Sequence, residues 1–163
     1  MIIYLIKPVS VFPQKSTYNS LKNKPYAWYD FKSKEILEKN SDLPKLKKTI
    51  KQLKNIKIDE YFSCSCIKCV QTSIFIERMT NRGFVYDERL EKYGFELPYQ
   101  FKKRNQSFLK DIKKKKFKRI FICTHKLNIT AIYELLIYPQ EYNFKELFEE
   151  HKFKELVTIS GKA

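Results

Sequence analysis

Flexible and membrane-spanning segments are what this sequence has least of. It contains only three glycines and six prolines among 163 residues, so long linkers are not expected and the length fits one domain, residues 1–163. No apolar run approaches the roughly 20 residues that span a bilayer. The opening apolar stretch, Ile2–Ile6, has no basic leader and ends at Lys7-Pro8. We therefore expect a cytoplasmic protein without membrane contact, in which this stretch is a first strand and not a signal peptide.

Cysteine is also scarce, and its spacing does not favour disulfide bonds. Of four cysteines, Cys64, Cys66 and Cys69 lie close together and Cys123 lies far along the chain. Without a secretion signal, reduced thiols are the expectation. The three neighbouring cysteines also admit a zinc site with His125 or Cys123 as the fourth ligand, but the spacing is unusual for zinc. Our main expectation is therefore no metal and no cofactor.

Acidic residues are outnumbered by basic ones. Lysine and arginine total 33 against 18 acidic residues, which gives a formal net charge of +15. Such an excess is compatible with nucleic acid, an anionic membrane surface or a phosphorylated ligand. Only five of the basic residues are arginines, and the abundance of lysine, isoleucine and asparagine is typical of an A/T-rich genome. A lysine-rich solvated surface needs no partner, so the charge leaves both interpretations open.

Apolar runs with strand character alternate along the chain with segments of helical spacing. Residues 8–30 are predicted to be irregular, and Asp42 is a candidate N-cap. Strands are predicted over residues 2–6, 60–63, 84–86, 119–123 and 156–159. Helices are predicted over residues 31–38, 43–53, 66–79, 99–116, 128–137 and 144–151. This order predicts a three-layer α/β/α domain with a mostly parallel sheet.

Ligands of such sheets bind beyond the carboxyl ends of the strands. Several polar or unusual residues follow the strands predicted over 2–6, 60–63 and 119–123. We expect them to share one rim: Lys7, Pro8, Cys64, Lys68 and His125.

Three segments around that rim together resemble signatures of the histidine phosphatase superfamily, which includes the phosphoglycerate mutases and the small phosphohistidine phosphatases. Where active members have Arg-His-Gly after the first strand, this chain has Lys7-Pro8-Val9. Where they have Ser-Ser-Pro-Leu-x-Arg-Ala-x-x-Thr-Ala, it has Ser-Cys-Ser-Cys-Ile-Lys-Cys-Val-Gln-Thr-Ser over residues 63–73. Where they have Ser-His-Gly-Gly, it has Thr-His-Lys-Leu over residues 124–127. The resemblance covers most of the chain and implies a phosphoglycerate mutase-like fold.

The same resemblance implies a degenerate active site. Pro8 stands at the position of the nucleophilic histidine, and proline has no side-chain lone pair with which to attack phosphorus. Lys7 and Lys68 stand where two arginines would grip the phosphate, and only His125 is retained. The implied phosphate-binding set is Lys7, Lys68, His125 and Lys126. A strict overlay puts Lys92 at the position of the acid, and Glu91 takes that role only after a small shift.

The resulting hypothesis is a pseudophosphatase that binds a phosphorylated small molecule, a phosphoprotein or another partner protein. One alternative is an active phosphatase that uses His125, Cys64 or Cys66 as a substitute nucleophile. The other is a nucleic-acid-binding protein, because lysines alternate with aromatic residues over 26–34 and 99–104. The second histidine, His151, is expected at the surface near a helix end.

Overall fold

The computed structural model describes residues 1–9, 43–137 and 156–160. The helices predicted over residues 31–38 and 144–151 lie outside the described residues. The same holds for Asp42, for His151 and for nearly all of the segment predicted to be irregular.

The described elements alternate between strand and helix. In chain order they are β1 (Ile2–Ile6), α1 (Leu43–Leu53), β2 (Glu60–Ser63), α2 (Ile67–Thr80), β3 (Val85–Tyr86), a 3₁₀ turn (Glu88–Leu90), α3 (Pro98–Lys114), β4 (Arg119–Cys123), α4 (Lys126–Ile137) and β5 (Leu156–Ser160). Every strand and helix falls on a predicted one, with its ends displaced by at most two residues.

The strands form one five-stranded sheet in the order β3-β2-β4-β1-β5. The first four are parallel, and β5 runs antiparallel to β1. The connections from β1 to β2 and from β2 to β3 run one way across the sheet, and the connection from β3 to β4 runs back. Because such connections are right-handed, helices in connections that run in opposite directions lie on opposite faces of the sheet. The connections by α1 and α2 therefore cover one face, and α3 covers the other with α4 packed beside it. The predicted three-layer, mostly parallel architecture is confirmed.

Aromatic side chains of β2 show how both faces are filled. Tyr61 and Phe62 are neighbours in the strand and so point to opposite faces. Phe62 packs edge-on against Phe108 of α3, with ring centroids 5.4 Å apart. Tyr61 packs against Phe84, with centroids also 5.4 Å apart. In the central strand β4, residues 120–123 are completely buried, as expected for a strand covered on both sides.

The buried face of α2 is formed mostly by residues other than the apolar ones whose spacing predicts the helix. Ile67 is exposed, and the buried residues are mostly small or polar: Cys69, Gln71, Thr72, Ser73 and Ile76. The hydroxyls of Thr72 and Ser73 each donate to a carbonyl one turn earlier, so their burial leaves no unpaired donor. The face of α2 that packs on the sheet therefore carries thiol and hydroxyl groups as well as apolar ones. This helix also borders the candidate site.

Arg89 connects the 3₁₀ turn to α3. Its guanidinium bonds both carboxylate oxygens of Asp87, at 3.0 and 2.7 Å, and an oxygen of Asp111 on α3 at 2.7 Å. Burial alone would raise the pKa of Asp87, but the hydrogen bonds from Arg89 outweigh burial and hold that pKa below its usual 3.8. The turn that leads toward the candidate site is therefore fixed by a charge-assisted clamp.

Replacing this arginine tests the clamp. We expect Arg89→Gln to lower the free energy of unfolding at neutral pH by about 1–2 kcal/mol. A carboxyl with a lowered folded pKa adds stability above its ordinary pKa and loses it as the pH falls through the lowered value. The difference between wild type and variant should therefore shrink as the pH falls below 3.8. Urea denaturation across this pH range measures it, with the exposed Lys110→Gln on α3 as control. A difference independent of pH would rule out the Asp87 contact as its source.

Candidate site at the carboxyl ends of the parallel strands

Three parallel strands end level with one another. The register pairs Cys123, the last residue of β4, with Ile6 of β1 and Ser63 of β2. Backbone bonds continue one residue further, from Thr124 N–H to the Ile6 carbonyl at 3.0 Å and from Cys64 N–H to the Cys123 carbonyl at 3.3 Å. The predicted common rim of these strand ends is confirmed.

The segment after β1 is fixed against α2. The buried N–H of Val9 donates to the hydroxyl oxygen of Thr72 at 3.0 Å. The same hydroxyl donates to the carbonyl of Lys68 at 2.8 Å. Pro8, between Lys7 and Val9, is therefore held beside the first turns of α2, and its side chain offers no nucleophilic atom.

Three thiols and one imidazole converge beside this segment. Cys64 follows β2, Cys66 is the N-cap of α2, Cys69 lies in the first turn of α2, and His125 directly precedes α4. The Cys66 sulfur lies 2.8 Å from His125 Nε2 and 3.0 Å from the Cys64 sulfur. The Cys69 sulfur lies 3.9 Å from the same Nε2. All four atoms lie within 4.8 Å of one another.

The thiols of this cluster differ in acidity. Hydrogen bonds from Cys64, Cys69 and His125 lower the pKa of the Cys66 thiol, because they stabilise its thiolate. The hydrogen bond with Cys66 raises the pKa of Cys64, and the hydrogen bond with Cys123 raises that of Cys69. Cys66 is also half-buried, whereas Cys64 and Cys69 are fully buried. It is therefore the thiol of the cluster with the greatest thiolate character.

Positive charge gathers at the same rim. Both α2 and α4 begin there, and neither has an acidic residue in its first turn. Lys68 and Lys126 occupy those first turns and are exposed, and Lys7 follows β1. Helix N-termini carry partial positive charge from their unpaired N–H groups. Lysines and helix ends together make this rim attractive to anions.

One carboxylate also reaches the rim. The hydroxyl of Ser65, in the turn between Cys64 and Cys66, donates to the carboxylate of Glu91. The neighbouring Leu90 carbonyl accepts from the hydroxyl of Thr124 at 2.6 Å. The structure thus places the Glu91 carboxylate in contact with Ser65 at the candidate site, and its role as the acid stays a prediction.

The basic and aromatic stretch over residues 99–104 is used largely within the fold. Phe101 is buried, and the guanidinium of Arg104 lies 4.6 Å from the centre of its ring. Arg104 also pairs with Glu96 at 2.7 Å. These contacts satisfy Arg104 internally, whereas Tyr99 and Lys103 of the same stretch are exposed, and nucleic-acid binding stays an untested alternative.

The sequence raised the meeting of these thiols with His125 only as a minor alternative, a zinc site of unusual spacing. His125 was the expected phosphate contact, yet its Nε2 faces the sulfurs of Cys66 and Cys69. Cys123, the other proposed fourth zinc ligand, is buried and is not one of the four clustered residues. The signal that could have identified the cluster is the cysteine spacing combined with the pairing of β2 and β4.

Comparison by sequence finds no matching family model and no matching curated protein. Comparison by structure finds YhfR of Bacillus stearothermophilus with a TM-score of 0.61, over 98% of this chain and 90% of that one, at 9% identity. The alpha-ribazole phosphatase of Shigella flexneri matches with a TM-score of 0.59, over 90% and 83% of the two chains, at 10% identity. The phosphoglycerate mutase of Bacillus anthracis matches with a TM-score of 0.56, over 86% and 82%, at 9% identity.

The fold is that of the histidine phosphatases. At these identities the likeness concerns the fold alone. Within this histidine phosphatase fold, the three segments that resemble the family's signatures follow β1, β2 and β4 and meet at one rim. None of the described helices is both long enough and apolar enough to cross a membrane.

Proposed function

We propose that the protein is a pseudophosphatase that binds a phosphorylated protein at this rim and does not cleave it. The proposal rests on two features that occur together at the rim. Pro8 follows β1 where a nucleophile is expected, and the retained His125 is engaged by the Cys66 thiol at 2.8 Å.

Phosphoryl transfer through histidine needs a nucleophilic nitrogen and hydrogen-bond donors aimed at the phosphate oxygens. Pro8 supplies no nitrogen lone pair, and Lys7 and Lys68 replace the forked guanidinium of arginine with point charges. The His125 nitrogen that would reach a phosphate oxygen lies against two sulfur atoms. Each change weakens catalysis, and together they remove the nucleophile and most of the oriented donors.

Binding of an anion needs less than catalysis does. Lys7, Lys68 and Lys126 place three ammonium groups around the start of two helices. An ammonium attracts phosphate without the directional fork of arginine, and helix N–H groups add favourable partial charge. These features support binding of a phosphoryl group without its transfer.

An exposed apolar segment next to the rim favours a protein as the carrier of that group. Phe95, Leu97 and Tyr99 are all exposed within five residues. The segment is held near the rim because Glu91 accepts from Ser65, and Glu96 is paired with Arg104. Exposed apolar clusters beside charged sites are typical of protein contacts.

The experiment that tests binding compares a phosphorylated peptide with the same peptide unphosphorylated, by fluorescence anisotropy at physiological salt. We expect the double variant Lys7→Gln, Lys68→Gln to weaken binding of the phosphorylated peptide by about tenfold or more, because it removes two charges from the phosphate site. The matched control is Lys110→Gln, Lys113→Gln, which removes the same charge from exposed positions of α3. Equal losses in both variants, or equal affinity for both peptides, would contradict a phosphate site at the rim.

A cysteine phosphatase is the second candidate, because Cys66 has a lowered pKa and touches His125. Its thiolate would attack phosphorus and form an S–P bond as the ester oxygen leaves with a proton from an acid such as Glu91, and water would then release phosphate. This activity predicts turnover that Cys66→Ser abolishes, whereas the pseudophosphatase shows no turnover to lose.

A further inference from the structure

We propose that Cys64, Cys66, Cys69 and His125 together form a tetrahedral zinc site at the rim. The proposal stands on the positions of these four side chains, and it holds or fails independently of whether a phosphoprotein binds at the rim.

The spacing of the four ligand atoms fits a zinc ion. Zinc bonds of about 2.3 Å to sulfur and about 2.05 Å to nitrogen place tetrahedral sulfurs about 3.8 Å apart, and sulfur and nitrogen about 3.6 Å apart. The Cys69 sulfur lies 3.9 Å from His125 Nε2, and the two shorter distances are 3.0 and 2.8 Å. These three distances differ from the tetrahedral values by about 0.8 Å or less, and all four atoms lie within 4.8 Å of one another.

The donor set selects the metal. Three thiolates and an imidazole suit zinc, whereas magnesium and calcium require oxygen ligands. None of the four clustered ligands is a carboxylate. Three of the chain's four cysteines and one of its two histidines meet at this point. Because cysteine and histidine are this scarce in the chain, their convergence at one point indicates a shared role.

The backbone holds the ligands in place before any ion binds. Cys64 is fixed by its N–H bond to the Cys123 carbonyl at 3.3 Å, and the Cys66 carbonyl accepts from Val70 at 3.0 Å in the first turn of α2. The carbonyl of His125 accepts from Ile129 at 3.0 Å in the first turn of α4. Ligands mounted on a strand end and two helix starts lose little freedom on binding, which favours tight coordination.

Positive groups at the rim offset the net charge of the proposed zinc complex. Binding forms three Zn–S bonds and one bond to Nε2, and the thiol protons pass to solvent with no change in oxidation state. The complex of Zn²⁺ with three thiolates and a neutral imidazole carries one net negative charge. The N-termini of α2 and α4 and the side chains of Lys7, Lys68 and Lys126 stabilise that charge.

Such a site is structural and not catalytic. Four protein ligands leave no open position for water or substrate, and this is the arrangement of zinc sites that stabilise folds. The ion would join the end of β2 and the start of α2 to the junction of β4 and α4. His125, the residue that the resemblance assigns to phosphate, then serves as a metal ligand.

Two other arrangements of the thiols are weaker. Cys123 hydrogen-bonds Cys69 but is not among the four residues whose ligand atoms lie within 4.8 Å of one another. A disulfide between Cys64 and Cys66 would join only two of the four clustered residues and would give Cys69 and His125 no role. The cysteines are free in the structure.

The experiment measures the metal content of the untagged full-length protein, purified with a reductant and without added metal, by inductively coupled plasma mass spectrometry. We expect about one zinc per chain in wild type and less than about a tenth of that in Cys66→Ala and in His125→Ala. Both positions are half-buried, so these variants should fold, and circular dichroism checks this. Cys123→Ala is the control, because it removes a buried thiol that hydrogen-bonds Cys69 without being one of the four proposed ligands, and it should keep the zinc.

Cobalt offers a second measurement with the same chain. Titration of the metal-free protein with Co²⁺ should give the visible absorption of tetrahedral cobalt and thiolate charge transfer in wild type and Cys123→Ala but not in His125→Ala. Absence of metal from folded, reduced wild type, or full zinc in folded His125→Ala, would overturn the proposal. Neither result alters the peptide-binding comparison, so failure of the zinc site and failure of the proposed function remain distinguishable.

Discussion

We expect removal of zinc from the proposed site to lower the melting temperature of the protein by about 10 °C. A ligand bound only to the folded state stabilises it by RT ln(1 + [L]/Kd), which is about 4 kcal/mol at a thousand times Kd. For a chain of this size each kcal/mol is worth about 2–4 °C. The loss follows because the ion joins β2 and α2 to β4 and α4, and without it those segments are held only by the sheet and the core. Differential scanning calorimetry with and without a strong chelator measures the shift.

The control for this shift lies in the same chain. His125→Ala should melt at the same temperature with and without chelator, because it holds no zinc, whereas Cys123→Ala should lose about as much as wild type. A melting temperature of wild type that does not respond to chelator, in a sample shown to lose its zinc, would contradict a structural role for the ion.

We expect substitutions that rebuild the phosphatase pocket to restore activity only when the Cys66 thiol no longer contacts His125. We expect the triple variant Lys7→Arg, Pro8→His, Lys68→Arg to remain inactive, because the Cys66 sulfur still contacts His125 Nε2 at 2.8 Å. Adding Cys66→Leu, the residue type that the resembling signature has at this position, should release His125 and raise aryl phosphatase activity by about a hundredfold or more over wild type. Initial rates of phosphate release measure both variants.

The acid of the rebuilt enzyme is testable in the same series. Glu91 contacts Ser65 at the rim, so Glu91→Gln in the rebuilt variant should lower the rate by about 10²–10⁴-fold. Lys92→Gln is its neighbouring control and should have little effect. Full activity of the triple variant with Cys66 in place would show that the thiol does not occupy the phosphate position.

The fold was predictable because its elements leave local signals. The run over residues 119–123 is apolar throughout, and it is the central strand with residues buried on both faces. The start of α2 was misplaced by one residue, because Cys66 has extended backbone angles and serves as the N-cap. Apolar spacing predicted the helix α2 but does not mark its buried Thr72 and Ser73 as core residues. The antiparallel direction of β5 depends on the path of the chain, which no local pattern encodes.

The site was predictable in part for the same reason. The resemblance to the family's signatures placed Lys7, Lys68 and His125 shortly after three of the strands, and the sheet brings the ends of those strands together. The meeting of Cys66 with His125 spans 59 residues and depends on the register of β2 against β4. The cysteine spacing alone gave a weak signal for zinc, because the proposed fourth ligand, His125, follows a different strand, β4.

Phosphate release from a general aryl phosphate and from a phosphohistidine peptide tests the central claim most directly. The assay compares wild type with the double variant Lys68→Ala, His125→Ala, both purified without added metal. The account predicts that neither protein releases phosphate faster than buffer does. Turnover by wild type that disappears in the double variant would contradict it and would show that the rim holds a working nucleophile, with Cys66 the first to replace.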